Sequence, residues 1–180
     1  LCSDNGPEQG AGTASPYRGF KTHLYEGGIR SPLIAWGPGL LNKEAAGTWN
    51  RSSVFAAIDL APTLLTLASV EGVAKAEFDG EALPEVLTGK AQPSRKQPLY
   101  FRRPPDRDAF YGDNDLPDLA MRDGKWKLLC EYDGSDAELF DLINDPAETK
   151  NIASDHALLV ERLTKLLVAW FQGREIGTAM

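Results

Sequence analysis

Two stretches near the start of the chain hold residue types that can do chemistry. Ser3-Asp4-Asn5-Gly6-Pro7-Glu8 sets a carboxylate beside a carboxamide. Their oxygens are hard ligands, suited to Ca²⁺ or Mg²⁺ rather than to zinc or copper. Gly6-Pro7 then lets the backbone turn sharply. The second stretch, Tyr17 to Pro32, holds three cations and His23 within 13 residues of an otherwise acidic protein. Among them Lys21 is a compact donor for an anionic oxygen. Gly27-Gly28 implies a tight backbone path, and Glu26 with Arg30, four residues apart, can pair to brace it. Taken singly, each stretch also fits a plainer reading: a turn for the first and a solvated basic loop for the second.

The elements that must position these residues follow from periodicity and punctuation. Residues 1–32 are rich in Gly, Ser, Thr and Pro and read as loop. Leu33 to Trp36 reads as a short buried strand, closed by Gly37-Pro38-Gly39. Asp59 reads as a helix cap ahead of Leu60, with Pro62 in the first turn and Leu60, Leu64, Leu65 and Leu67 on the buried face. A short helix is expected near Leu83 to Leu87, ending at Gly89. Residues 90–97 are polar and mark a boundary. Beyond it Pro98 to Arg102 reads as a strand. Leu119 to Arg122 and Lys125 to Cys130 read as a hairpin about Asp123-Gly124, and Glu138 to Leu142 as a further strand. From Asp155 to Gln172, Leu158, Leu159, Leu163, Leu166, Leu167 and Trp170 fit a long amphipathic helix. Trp126 and Trp170 read as core aromatics.

Composition sets outer limits. The 180 residues are 42% hydrophobic and 25% charged, which suits a globular chain, and 12 Pro with 17 Gly predict many turns. A net charge of -7 excludes a nucleic-acid binder, since no basic stripe exists to neutralise phosphates. It leaves room for a small anionic substrate met by a local cluster of cations. Two cysteines, Cys2 and Cys130, are too few and too far apart for a zinc motif and read as buried thiols. No apolar run reaches the 18 residues or so of a membrane span. The chain begins Leu1-Cys2-Ser3-Asp4, without an initiator Met, so it reads as a segment whose targeting signal would lie upstream.

Together the motifs are more specific than either alone. Asp4-Asn5-Gly6, then Lys21, then Tyr25-Glu26-Gly27-Gly28-Ile29-Arg30-Ser31-Pro32 resemble the sulfatase family, of the arylsulfatase and N-acetylgalactosamine-6-sulfatase-like kind. The resemblance continues through Asp59-Leu60-Ala61-Pro62-Thr63, Phe78-Asp79-Gly80 and Met121-Arg122-Asp123-Gly124-Lys125-Trp126-Lys127-Leu128. It ends with Glu138-Leu139-Phe140-Asp141-Leu142-Ile143-Asn144-Asp145-Pro146-Ala147-Glu148, leading to Asn151.

The resemblance implies a truncated α/β sulfatase fold of the alkaline-phosphatase-like kind over residues 1–95. A small α+β subdomain, with an antiparallel sheet and one long helix, follows over residues 96–180. It implies hydrolysis of sulfate esters of a sugar or aryl compound, with Asp4 and Asn5 as ligands of Ca²⁺, Lys21 on the sulfate and His23 near the leaving group. No other cofactor is implied, and the partner is a sulfated small molecule or saccharide. In this family a Cys or Ser converted to formylglycine attacks sulfur, and it lies in a Cys-x-Pro-x-Arg motif. No such string occurs here, so the chain alone is expected to be inactive. Two of six to eight oxygen ligands are too few to hold Ca²⁺ tightly. A truncated sheet edge would invite disorder over residues 1–30 or self-association. The family is commonly periplasmic, lysosomal or secreted, though nothing in the chain shows export.

Two other readings stay open. One keeps the fold and changes the reaction to that of a phosphodiesterase or phosphonate hydrolase. The other is a non-catalytic interaction module in which Asp4-Asn5 is only a turn. Arg30 reads as structural. Arg102, Arg103, Arg107, Asp113 and Asp115 fall in a long loop that fits a sugar contact or a solvated connection.

Overall fold

A computed structural model describes residues 1–72, 77–103 and 116–173. These divide into two compact units. One contains Leu1 and residues 33–97; the other contains residues 2–32 and the chain from Pro98 onward. Residues 2–32, expected to go with the first part of the chain, therefore pack with the second. No helix among the described residues is long and apolar enough to cross a membrane.

The second unit is built on a four-stranded antiparallel sheet in the order β1 (Leu99–Arg102), β2 (Leu119–Asp123), β3 (Trp126–Cys130), β4 (Glu138–Asp141). The β2–β3 hairpin forms where the sequence places it, with the turn one residue later. Asp123 pairs with Trp126, so the loop is Gly124-Lys125 with glycine first, at φ +57°. That is the II′ pattern, which suits the right-handed twist of the flanking strands. A helix, α4 (Ala157–Phe171), follows a single 3₁₀ turn at Ala153–His156. It packs Leu163 and Leu167 against Leu119, Met121, Leu128, Cys130 and Leu139. Leu159 lies against this core, while Leu158 points outward at 84% exposure because it falls one residue off the apolar stripe. Trp170 stacks on Tyr100 with ring centroids 5.1 Å apart, and Trp126 packs on the same core, as expected of core aromatics.

The opposite face of the sheet is covered as well. Ala120, Leu129, Phe140 and Leu142 pack against Leu24 and Tyr25 of the N-terminal loop. The sheet is thus the middle of three layers, where a single covering helix was expected. This explains why β2 and β3 are buried on both faces instead of alternating. Cys130 is buried, and burial pushes its thiol up to about 12. Cys2 is exposed, so the expectation of two buried thiols holds for one only.

The first unit is less regular. Leu33 to Trp36 is not a strand; Ile34 and Trp36 are 58% and 83% exposed. Helix α2 (Leu60–Leu67) forms as expected, but it buries Pro62 and Thr63 and leaves Leu64 half exposed. The Thr63 hydroxyl accepts the amide of Leu83, which draws α2 to α3 (Pro84–Thr88). Asp59 does not cap α2 with its side chain. It is fully buried and accepts from the amides of Ala56 and Glu81 and from Arg95 Nη1 at 2.7 Å. A carboxylate able to cap a helix is equally able to receive a guanidinium, and the guanidinium wins here.

One pair of carboxyls gives the fold a pH dependence. Asp118 and Glu131 lie just past the last β2–β3 pair, Leu119–Cys130, where like charges oppose one another. Burial, followed by the hydrogen bond and charge of Asp118, pushes Glu131 up to about 7. The unfolded chain releases that proton near its ordinary value of about 4.3. Between these values the folded state holds more protons, so stability falls as pH rises from about 4.3 to about 7 and then levels. Thermal midpoints between pH 5 and pH 8 should show this fall in the unaltered chain and a flatter profile in Glu131→Gln. The same slope in both would exclude this pair as the cause.

Candidate active site

The residues singled out in the sequence lie in the loop that covers the sheet. Its two motif stretches are stitched together by backbone. The Gly6 amide donates to the Gly28 carbonyl at 2.8 Å, and the Lys21 amide donates to the Pro7 carbonyl at 2.9 Å. The Asp4-Asn5 turn and the start of the Lys21 segment therefore run side by side. Glycine is required at this crossing. A Cβ on Gly6 would sit inside the Gly27 carbonyl oxygen, and one on Gly28 inside the carbonyl oxygens of Phe20 and His23.

Lys21 and His23 stand on a strained turn. The His23 amide donates to the Phe20 carbonyl at 2.9 Å, and Thr22 takes φ +82°. That is the glycine position of a type II turn, occupied by a β-branched residue. Such a conformation costs on the order of 1–3 kcal/mol and persists only where the surroundings enforce it. The Lys21 ammonium lies 3.0 Å from Glu8, with both side chains substantially exposed. The His23 ring packs on Phe20 with centroids 4.0 Å apart. Asp4 is exposed and Asn5 partly so. Beside them, Gln9, Thr13, Ser15, Tyr17 and Phe20 line an open cleft of about 340 Å³.

The donor chemistry of Asp4 and Asn5 fits a hard divalent cation. Among the described residues, however, no group of three or more His, Cys, Asp or Glu is placed to hold a metal. Two oxygens supply part of a Ca²⁺ set that wants six to eight. Of the long loop, Arg107, Asp113 and Asp115 lie outside the described residues. Arg103 is buried, with Nη2 on the Leu116 carbonyl at 2.9 Å, and the Arg102 guanidinium lies 5.4 Å from the Phe171 ring.

A buried ionic cluster behind the site was not anticipated. Helix α1 (Glu26–Ile29) begins at Glu26, which is 2% exposed. Its carboxylate lies 3.1 Å from Lys127 Nζ and 3.5 Å from both Arg30 and Arg122. The pairing expected of Glu26 with Arg30 is thus present, within a larger group. Lys127, fully buried, also reaches Glu148 Oε1 at 2.8 Å, and Glu148 Oε2 accepts the Glu26 amide at 2.6 Å. Burial raises the Glu148 carboxyl above its ordinary value, and Lys127 opposes that rise. Next door the Tyr25 hydroxyl donates to Glu138 at 2.6 Å while Arg18 lies over the Tyr25 ring. Burial, then the Glu138 contact, raises the Tyr25 phenol.

The signal for this cluster was present in the strand pattern. Period two puts Lys127 on the same face of β3 as Leu129. A lysine and a leucine sharing a face means that either the leucine is exposed or the lysine is buried. Coverage of that face by the loop settles it in favour of burial.

Comparison with known proteins shows the family of the chain. Residues 18–172 match the family model described as N-sulphoglucosamine sulphohydrolase, C-terminal. A sulfatase of Formosa agariphila is 30% identical over 158 residues, covering 86% of this chain and 28% of that protein. Arylsulfatase K of Mus musculus is 30% identical over 140 residues, covering 76% and 24% respectively. The choline-sulfatase of Rhizobium meliloti is 33% identical over 170 residues, covering 91% and 28%. The chain therefore spans roughly a quarter of the length of these relatives. Among solved structures, Ps i-CgsB superposes with a TM-score of 0.73 at 26% identity, over 98% of this chain and 37% of that one. It has also been solved in complex with k-i-k-neocarrahexaose. By the family model over residues 18–172 and by these relatives, this chain belongs to the sulfatase family and corresponds to its C-terminal region.

Proposed function

We propose that this chain supplies the C-terminal share of the active site of an enzyme that hydrolyses sulfate esters. The observation that carries the reading is the backbone stitching of Gly6 to Gly28 and of Lys21 to Pro7. It sets a carboxylate, an amide oxygen and an ammonium-bearing segment along one short stretch of surface. In this reading residues 1–95, of which 2–32 pack with the chain from Pro98 onward, belong to a larger α/β domain of the alkaline-phosphatase-like kind, to which the rest of a longer protein contributes.

In this reading Asp4 and Asn5 offer oxygens to Ca²⁺, which when bound supplies positive charge to sulfate oxygens. Lys21 adds a second positive charge where the sulfate's negative charge grows during cleavage. Its contact with Glu8 is exposed and weak, so an arriving sulfate can displace it. His23 is placed two residues on, for the leaving oxygen. The adjoining cleft, lined by hydroxyls, an amide and an aromatic ring, suits a sugar. The carrageenan fragment bound by a related structure supports the same substrate class.

The test belongs in the full-length protein. Lys21→Ala should lower turnover of a chromogenic aryl sulfate by about 10²–10³-fold. Asp4→Ala and Asn5→Ala should each weaken calcium binding in a titration. The present chain alone should turn over nothing. Calcium affinity and turnover left intact by all three substitutions would reject the assignment.

A further inference from the structure

Glu148 stands apart from the site residues in sequence, yet it touches the backbone that holds them. Its own backbone is left-handed, at φ +54°, which is uncommon for a residue other than glycine, asparagine or aspartate. The side chain is 0% exposed. One carboxylate oxygen is ion-paired with Lys127 Nζ from the middle of β3 at 2.8 Å, and the other accepts a hydrogen bond from the amide of Glu26 at 2.6 Å. Glu26 opens α1, and α1 presents the Gly28 carbonyl that takes the Gly6 amide. The Gly27 amide also donates from α1 to the Arg18 carbonyl at 2.7 Å, in the segment leading to Lys21. One chain of contacts therefore runs from the sheet through Glu148 to α1, beside the direct contacts of Glu26 with Lys127 and Arg122, and from α1 to both halves of the candidate site.

We infer that Glu148 is a positioning residue, holding α1 on the sheet so that Asp4, Asn5 and Lys21 keep their mutual geometry. This rests on the reading of those three residues as the sulfate site. Its physical content is independent of that reading. A carboxylate is suited to the task because one oxygen accepts the Glu26 amide while the other sets negative charge against the Lys127 ammonium. A glutamine could satisfy only one neighbour, since its amide nitrogen would face either the Lys127 ammonium or the Glu26 amide, donor against donor.

The measurement is amide hydrogen exchange, residue by residue, on this chain. Glu148→Gln should accelerate exchange at Gly6, Lys21 and Glu26 by about ten- to a hundredfold, as loss of a hydrogen bond to a charged group implies. Leu128 and Leu139, in the sheet, should change much less. Leu167→Ala, which empties part of the core beneath α4, serves as the comparison: it should shift site and sheet amides together. If Glu148→Gln does not fold, Glu148→Asp keeps the charge and shortens the reach, and the same three amides should open first. A uniform shift in the Glu148 variants, or a Gly6 amide already unprotected in the unaltered chain, overturns the inference.

In the full-length protein Glu148→Gln should lower kcat on an aryl sulfate with KM nearly unchanged; an unchanged kcat also overturns it. If exchange behaves as expected but the unaltered full-length protein cleaves no sulfate ester, the positioning stands and the sulfate reading falls.

Discussion

Lys127→Met is expected to destabilise the second unit by about 3–5 kcal/mol, the range found when one partner of a buried ion pair is removed. Methionine fills much of the lysine volume, so little of this loss comes from an empty space. It comes from Glu26 and Glu148, which are 2% and 1% exposed and keep their negative charges in the interior. Arg122 and Arg30 remain 3.5 Å from Glu26, which softens its loss. Glu148 has no such substitute among the described residues, and burial already raises its carboxyl. In the variant that carboxyl rises further. The folded state then holds a proton that the unfolded state gives up, so the deficit against the unaltered chain should grow as pH climbs above about 4.3. Urea unfolding at pH 5 and pH 8 checks both parts. A loss under about 1 kcal/mol, in the range of exposed pairs, would show that water reaches the cluster.

Arg95→Ala should cost the first unit a similar amount, about 3–5 kcal/mol. Asp59 would keep the amides of Ala56 and Glu81 but lose the one cation paired with it among the described residues, at a side chain that is 0% exposed. Arg95 Nε also bonds the Gln97 carbonyl at 2.8 Å, so the guanidinium closes two contacts in one plane. Arg95→Lys is therefore expected to recover only part of the loss, because an ammonium is a single point of charge without that fork. The quantity to follow is exchange protection at Leu83, whose amide is bonded to Thr63 in the same unit. Full recovery by lysine would mean that charge alone, and not the planar geometry, holds Asp59.

These two clusters also mark how far sequence reading reaches. The β2–β3 hairpin and α4 were legible because each is set locally: a turn dipeptide between strands, and an apolar stripe at helical spacing. The Asp4 and Lys21 motifs were legible as types, and Glu26 with Arg30 as neighbours on one turn. Asp59 was misread as a cap because its partner, Arg95, lies 36 residues away. Lys127 and Glu148 were overlooked as a pair for the same reason: the charges meet only once the loop has been laid on the sheet. Leu33 to Trp36 shows the opposite failure. Apolar composition states a preference for burial, but among the described residues no strand forms there to provide it. The helical turn at Glu26 was hidden because two glycines disfavour a helix, and a carboxylate from residue 148 holds its first amide.

The layering of the second unit also fixes an order of events during synthesis. The ribosome releases Asp4, Lys21 and Glu26 early, but Lys127 follows Glu26 by 101 residues and Glu148 by 122. At about 5–20 residues per second, the segment waits several seconds or longer before its partners on the sheet side exist. Contacts of such long range also form late because closing a long loop costs entropy first. The hairpin and α4 can assemble from neighbours, whereas the layer read as catalytic must wait for a finished surface. The sheet and α4 are thus able to form before the loop that covers them is locked in place.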